Sequence, residues 1–169
     1  MSSSDDFVTL VEVGPRDGLQ NEKHTLDAIT RVELIERLAN AGMPVIEAGS
    51  FVSPSWVPQM ADTEAVIKTL KSRPGTRYPV LVPNQTGLQR AMECNVKEIA
   101  FFSAASETFC QKNINCSIAQ SLDRFEALIN TAKNSGINVR GYISCVLGCP
   151  YEGPVEASAV VKLSEQLLA

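Results

Sequence analysis

The chain has 169 residues, 44% of them apolar and 20% charged, the make-up of one globular domain with a sizeable core. A net charge of −4, with Lys and Arg scattered instead of bunched, excludes the basic footprint of a nucleic-acid or membrane-surface binder. No apolar stretch approaches the roughly 20 residues needed to span a bilayer, and the acidic start Met1-Ser-Ser-Ser-Asp-Asp-Phe7 has neither the positive region of a signal peptide nor the Arg-rich character of a transit peptide.

Short β-rich runs alternate with stretches of helical period. Val8–Val13 reads as a first strand closed by Gly14-Pro15. Thr25 is placed to cap a helix whose apolar positions Leu26, Ile29, Val32, Ile35 and Leu38 recur every three residues before Gly42. Pro44–Ala48 is a second strand, followed by a Pro-punctuated loop through Met60, and Asp62 can cap a helix around 65–70. Tyr78–Val82 is a third strand, with a short helix over 87–94 behind it. A fourth strand, Glu98–Phe102, runs into a long polar stretch read as loop. Ser117 caps a helix with Ile118, Leu122, Phe125 and Ile129 on one face, stopped near Gly136. Asn138–Val146 is the fifth strand, and a last helix runs from about 155 to the end.

Strands alternating with helices of this length imply right-handed βαβ crossovers and a parallel sheet. Five such units fit either a complete flavodoxin-like sheet or an interrupted (β/α)8 barrel. The final helical pattern stops at Ala169 with no Gly, Asn or Pro after it, which favours the interrupted barrel.

In both architectures the active site lies at the carboxyl ends of the strands. Arg16 and Asp17 stand there after strand one, between Gly14 and Gly18, and Ser50 follows strand two. Glu12, Glu47 and Arg140 fall inside strands expected to be buried, where a charge must be paired. For Glu47 and Arg140 two readings stay open: an internal ion pair that fixes the barrel interior, or a polar floor under an anionic substrate. The chain has no G-x-G-x-x-G, Walker A or G-x-S-x-G motif, which disfavours dinucleotide, nucleotide-triphosphate and α/β-hydrolase readings. Its one histidine, His24, sits in a loop, so no two-histidine metal site can be assembled from these residues. The five cysteines form no C-x-x-C pair and read as small buried apolar residues.

Val11-Glu-Val-Gly-Pro-Arg-Asp-Gly-Leu-Gln-Asn-Glu22 resembles the opening strand and loop of the 3-hydroxy-3-methylglutaryl-CoA lyases. Ser50-Phe-Val-Ser-Pro-Ser-Trp-Val-Pro-Gln-Met60, Tyr78-Pro-Val-Leu-Val-Pro-Asn84, Lys112-Asn-Ile-Asn-Cys-Ser117, Val139-Arg-Gly-Tyr-Ile-Ser-Cys145 and Gly148-Cys-Pro-Tyr-Glu-Gly153 extend the likeness over nearly the whole chain. The resemblance implies an α/β fold, a partial TIM (β/α)8 barrel of about the first five β/α units. Residues 1–169 would then be a carboxy-terminally truncated domain of the pyruvate carboxyltransferase/HMG-CoA lyase type. It implies cleavage of 3-hydroxy-3-methylglutaryl-CoA to acetoacetate and acetyl-CoA, in leucine breakdown and ketone-body formation, with Mg²⁺ or Mn²⁺ as the cofactor. By the same resemblance Arg16 and Glu47 are catalytic and Asp17 is a metal ligand, while Arg16, Lys23, Ser50, Asn113 and Arg140 bind substrate. The implied partner is a small acyl-CoA, with no nucleic acid and no membrane, and the full-length form would be a homo-oligomer.

The likeness also sets what is missing. The family's His-x-His pair, its Asn ligand and the cysteine of a mobile Gly-rich loop belong to later strands that this chain does not contain. Gly148-Cys149-Pro-Tyr151 imitates that loop but stands directly after strand five, so Cys149 is not assigned to catalysis. The 169 residues alone are therefore expected to be inactive. The readings competing with a lyase are a non-catalytic half-barrel binding module and a related acyl-CoA-condensing synthase. As written the chain reads as cytoplasmic, and an incomplete start would leave mitochondria or peroxisomes open.

Overall fold

A computed structural model describes residues 7–168. In chain order the elements are β1 (Val11–Glu12), a π-helical turn (Gly14–Gly18), α1 (Ala28–Asn40), β2 (Val45–Ile46) and β3 (Gly49–Ser50). A 3₁₀ turn (Pro58–Met60), α2 (Thr63–Thr69), β4 (Val80–Leu81), α3 (Gln85–Glu93) and β5 (Glu98–Ala104) follow. Then come α4 (Glu107–Ile114), α5 (Ile118–Asn134), β6 (Asn138–Ser144), the hairpin β7 (Gly148–Cys149) and β8 (Gly153–Pro154), and α6 (Ala157–Leu168).

β2 and β3 are two stretches of one extended run. β2 pairs with β1 and β3 with β4, both in parallel. Between them the Glu47 amide donates to the Glu12 carbonyl at 2.8 Å and the Ala48 amide to the Pro79 carbonyl at 2.9 Å. β4 pairs with β5 and β5 with β6, again in parallel, so the strands lie side by side in sequence order. A flavodoxin-like sheet would put its first strand inside, between the second and third. Here β1 lies at an edge, and sequential parallel order is the order of a (β/α)8 barrel.

Alternation sorts the strand side chains onto two faces. Ile99 and Phe101 of β5 join Leu88 and Ala91 of α3 and Phe125 and Leu128 of α5 in one core. Ile46 and Ala48 join Val32, Ile35 and Ala39 of α1 in a second. Helices thus cover this face. Glu47, Arg140 and Tyr142 have the opposite parity and point to the concave face, where a barrel has its interior.

Several local expectations are corrected. Asp27, not Thr25, caps α1, accepting the Thr30 amide at 2.7 Å. Ile29 is 79% exposed, because a strict three-residue spacing drifts around a helix of 3.6 residues per turn and leaves the buried stripe. Asp62 holds the cap position of α2 but makes no side-chain capping bond. The first strand shrinks to Val11–Glu12, since only these residues find partners on β2, and Phe7, Val8 and Leu10 lie exposed. The polar stretch after β5 contains α4, capped by Ser106, which accepts the Phe109 amide at 3.0 Å. α3 starts two residues early, capped by Asn84, and β6 stops at Ser144, where Cys145 takes a φ of 62°. Ser117 caps α5 as expected, within a full capping box with Gln120.

Candidate active site

The first polar turn is built around a single acceptor. The Val13 carbonyl receives the amides of Arg16, Asp17 and Gly18 at 3.1, 2.7 and 3.4 Å. Pro15, which has no amide to satisfy, is buried in the same turn. Gly14 donates its amide to Glu12 Oε1 at 2.6 Å, and a Cβ at Gly14 would stand 2.8 Å from that same oxygen. No side chain fits there with Glu12 in place. The turn therefore closes tightly and swings Arg16 inward over the end of the sheet.

Arg16 Nε donates to Glu47 Oε1, and its Nη1 donates to Asp17 Oδ1 at 2.7 Å. The other oxygen of Glu47 accepts the Tyr142 hydroxyl at 2.9 Å. Glu47 is wholly buried, the Arg16 side chain is 13% exposed and that of Asp17 is 55% exposed. A carboxylate so placed is tolerable only when both oxygens are satisfied, and here a cation and a hydroxyl do so. Burial, then the charge and hydrogen bond of Glu47, push the Tyr142 hydroxyl up to about 12, so it remains a donor throughout the physiological range.

The remaining residues expected in the site are spread out. Ser50 is buried, its hydroxyl accepting the Val52 amide at 3.2 Å and its own amide donating to Thr63 Oγ1 at 3.3 Å. Beside it, Gly49 has no room for a side chain: a Cβ would come within 2.7 Å of Thr63 Oγ1 and 2.9 Å of Arg31 Nη2. Lys23 is exposed in the loop after the turn, where Gln59 Nε2 ties down the neighbouring Glu22 carbonyl at 2.8 Å. Asn113 is exposed on α4. Arg140 shares the concave face with Tyr142, but its Nε lies 3.7 Å from Glu98 Oε1 with no hydrogen-bond partner. Arg77 holds the other Glu98 oxygen. The Glu47–Arg140 pair is therefore not formed: Glu47 takes Arg16, and Arg140 pairs toward the amino-terminal end of β5. Tyr142, Glu98 and Arg77 are the partners that no local sequence pattern assigns to these charges. Two-residue alternation from Arg140 puts Tyr142 on the same face, a signal that was available.

The hairpin after β6 docks on the start of α4. Ser106 donates its hydroxyl to Cys149 Sγ at 3.0 Å, Glu152 accepts the Thr108 amide at 2.7 Å, and Lys112 Nζ stands 4.0 Å over the Tyr151 ring. Burial pushes the Cys149 thiol up, yet the donors from Ser106 and the Tyr151 and Glu152 amides outweigh it and hold the thiol below its usual range. Cys149 is a member of this joint. Cys94, Cys110 and Cys116 are buried and Cys145 is half-buried.

Among the described residues no three His, Cys, Asp or Glu side chains stand together in a way that could hold a metal ion. Asp17, already bonded to Arg16, is one oxygen donor and not a ligand set, so the residues present do not by themselves fit a divalent cation. Among the described residues no helix is long and apolar enough to cross a membrane.

A family model described as HMGL-like matches residues 7–169. The chain is 54% identical over 160 residues to a mitochondrial hydroxymethylglutaryl-CoA lyase of Bos taurus, covering 95% of this chain and 49% of that protein. It is 56% identical over 161 residues to a cytoplasmic 3-hydroxy-3-methylglutaryl-CoA lyase of Danio rerio, covering 95% of this chain and 48% of that one. The structure is similar, with a TM-score of 0.93 and 33% identity, to an HMG-CoA lyase from Acinetobacter baumannii solved with coenzyme A and 3-methylmalate, covering 99% of this chain and 55% of that chain. The chain thus spans about half the length of the curated relatives it matches.

Proposed function

Because the chain belongs to the HMGL-like family, we propose that it forms the arginine-bearing part of a hydroxymethylglutaryl-CoA lyase. The whole protein would cleave 3-hydroxy-3-methylglutaryl-CoA to acetoacetate and acetyl-CoA. The observation that carries this reading is Arg16 braced on the buried Glu47 at the carboxyl ends of the strands, with the exposed carboxylate of Asp17 beside it. The reaction is a reverse Claisen step. The tertiary hydroxyl gives up its proton, the C2–C3 bond breaks with its electron pair moving toward the thioester carbonyl, and the resulting enolate is protonated to acetyl-CoA. Negative charge grows on the thioester oxygen as the bond breaks. Arg16 is suited to meet it, since Glu47 and Asp17 occupy two of the five N–H donors of its guanidinium and fix its plane in advance.

The Mg²⁺ or Mn²⁺ ion implied by the resemblance would take Asp17 as one ligand and draw the others from outside these 169 residues. The coenzyme A held by the bacterial relative supports an acyl-CoA thioester as the substrate class. Its relatives are named for both mitochondria and cytoplasm. Residues 1–169 would then be one segment of a barrel domain, and the whole protein a homo-oligomer, which sedimentation would read.

The test is acetoacetate release from 3-hydroxy-3-methylglutaryl-CoA by a protein that joins this chain to the rest of its barrel. Arg16→Gln is expected to lower turnover about a thousandfold, the scale of losing a preorganised donor to a developing oxyanion. Undiminished turnover in the folded variant removes Arg16 from the catalytic set. The purified 169-residue chain is expected to release none, and metal-dependent release by it would overturn the reading of this segment as an incomplete site.

A further inference from the structure

We infer that Tyr142 is a positioning residue for Arg16: by holding one oxygen of Glu47 across the concave face, it fixes the other oxygen, and with it the plane of the Arg16 guanidinium. The inference rests on the lyase reading for its consequence in turnover, but its structural content stands on this chain alone.

Glu47 has no solvent to turn toward, being wholly buried, and its two oxygens are divided between two donors, Arg16 Nε on one and the Tyr142 hydroxyl at 2.9 Å on the other. A carboxylate held at both oxygens has a fixed plane. Held at one, it can rotate about its last bond and present either oxygen, or both, to the guanidinium. The three partners come from parts of the chain that no local hydrogen bond would bring together. Arg16 lies in the turn after the edge strand β1, Glu47 lies between β2 and β3, and Tyr142 lies 95 residues further on in β6. The Tyr142–Glu47 bond therefore spans the concave face from the last parallel strand to the second. It refers the position of a turn residue to the longest ladder in the sheet. The Arg16 turn is closed by its own bonds to Val13 and by the buried Pro15, but its strand holds the sheet only briefly, since β1 pairs over Val11–Glu12 alone.

Arg140, on the same face two residues before Tyr142, does not substitute for it: its Nε lies 3.7 Å from Glu98 Oε1 and makes no hydrogen bond. A half-buried tyrosine could be there only to fill space. The hydroxyl is what distinguishes the two roles, and Tyr142→Phe removes it while leaving the ring.

The experiment uses the full chain with ¹⁵N-labelled arginine, the Arg16 Nε–H being assigned by its loss in Arg16→Gln. Tyr142→Phe is expected to shift that resonance and to speed its exchange with water about tenfold or more, the scale of losing a hydrogen bond to a charged group. An unchanged shift and rate in the folded variant overturns the proposal. Should Tyr142→Phe not fold, the reciprocal measurement leaves the tyrosine intact: ¹³Cζ-labelled tyrosine is compared in wild type and Arg16→Gln. The Tyr142 signal is expected to move, and a signal that stays overturns the coupling. In the joined, active protein, Tyr142→Phe is expected to lower kcat about tenfold with KM little changed. It should add nothing to the loss already caused by Glu47→Gln. Independent, multiplying losses would overturn a role exerted through Glu47. A wild-type protein that releases no acetoacetate would defeat the lyase reading instead, and leaves the spectroscopic result on Tyr142 to be read separately.

Discussion

Two buried carboxylates face the concave surface of the sheet, and they are partnered in different ways. Glu98, at the amino-terminal end of β5, is flanked by Arg77 just before β4 and by Arg140 on β6. All three belong to the strands or their immediate approaches, and the nearest approach of Arg140 is loose, at 3.7 Å with its buried Nε unsatisfied. Glu47, toward the other end, takes its cation from a turn and its second donor from a distant strand, one on each oxygen. Its cation also touches an exposed acid, Asp17. Burial of a carboxylate says only that it must be paired. Where the cation comes from says more: a strand arginine ties the scaffold together, while an arginine on a turn at the strand ends is presented to whatever enters.

That contrast can be tested by substitution. The largest effect on stability is expected from Glu47→Ala, which strands Arg16 in a site where it is only 13% exposed. We expect a loss of about 3 kcal/mol in denaturant unfolding, the lower end for breaking a buried pair, together with loss of turnover in the joined protein. Glu98→Ala should cost less, about 2 kcal/mol, because the Arg77 side chain is 50% exposed and regains water on release. Turnover per folded molecule should be nearly unchanged. A Glu98→Ala protein that keeps its stability but loses turnover would erase the distinction between the two ends. Ser106→Ala, at the hairpin joint, removes both the cap of α4 and the donor to Cys149 and should cost about 1 kcal/mol in the same unfolding assay.

The smallest effect is one of pH, and it belongs to the same joint. The Thr108 hydroxyl and amide hold the Glu152 carboxyl below its usual 4.5. A carboxylate depressed on folding stabilises above its unfolded pKa, and that contribution is lost as pH falls through the folded value. Acidification below about 4.5 should therefore lower the protection of the Thr108 amide relative to its intrinsic exchange rate at the same pH, while a Glu152→Gln protein should show no such dependence. A Thr108 amide equally protected at acid pH in both proteins would mean that the joint is held by the Cys149 and Tyr151 contacts alone.

Much of this was legible in the sequence, and the parts that were not share a cause. Alternating runs gave the βαβ order, and the Gly14–Gly18 motif gave Arg16 and Asp17 a place at the strand ends, because both are local patterns. The sequential strand order was not local. Periodicity left a doubly wound sheet and a barrel open, and only pairing between distant strands decides between them. Resemblance pointed to the barrel, and the edge position of β1 agrees. The segment that forms α4 carries no periodic stripe, because its burial rests on little more than Cys110, whereas its cap, Ser106, stands in plain view in the sequence. The choice between the two readings of Glu47 and Arg140 stays open in the sequence for the same reason as the strand order: charge pairing across a sheet depends on register, and Arg140 sits opposite Ala100, two residues along β5 from Glu98.

The ladders differ sharply in length, and this bears on how the molecule opens. β5 and β6 pair over seven residues each, around the α5 helix that crosses between them and shares their core, while β1 with β2, and β3 with β4, pair over two. Local opening costs least where few bonds and contacts must be broken together. Amide exchange should accordingly be slowest in the β5–α5–β6 unit and fastest at the β1 edge, so that the turn bearing Arg16 rides on the segment most ready to detach. The proposed role of Arg16 needs the sheet's weakest margin to be held from across the concave face, and in the joined protein turnover is expected to be lost on warming before the helical signal.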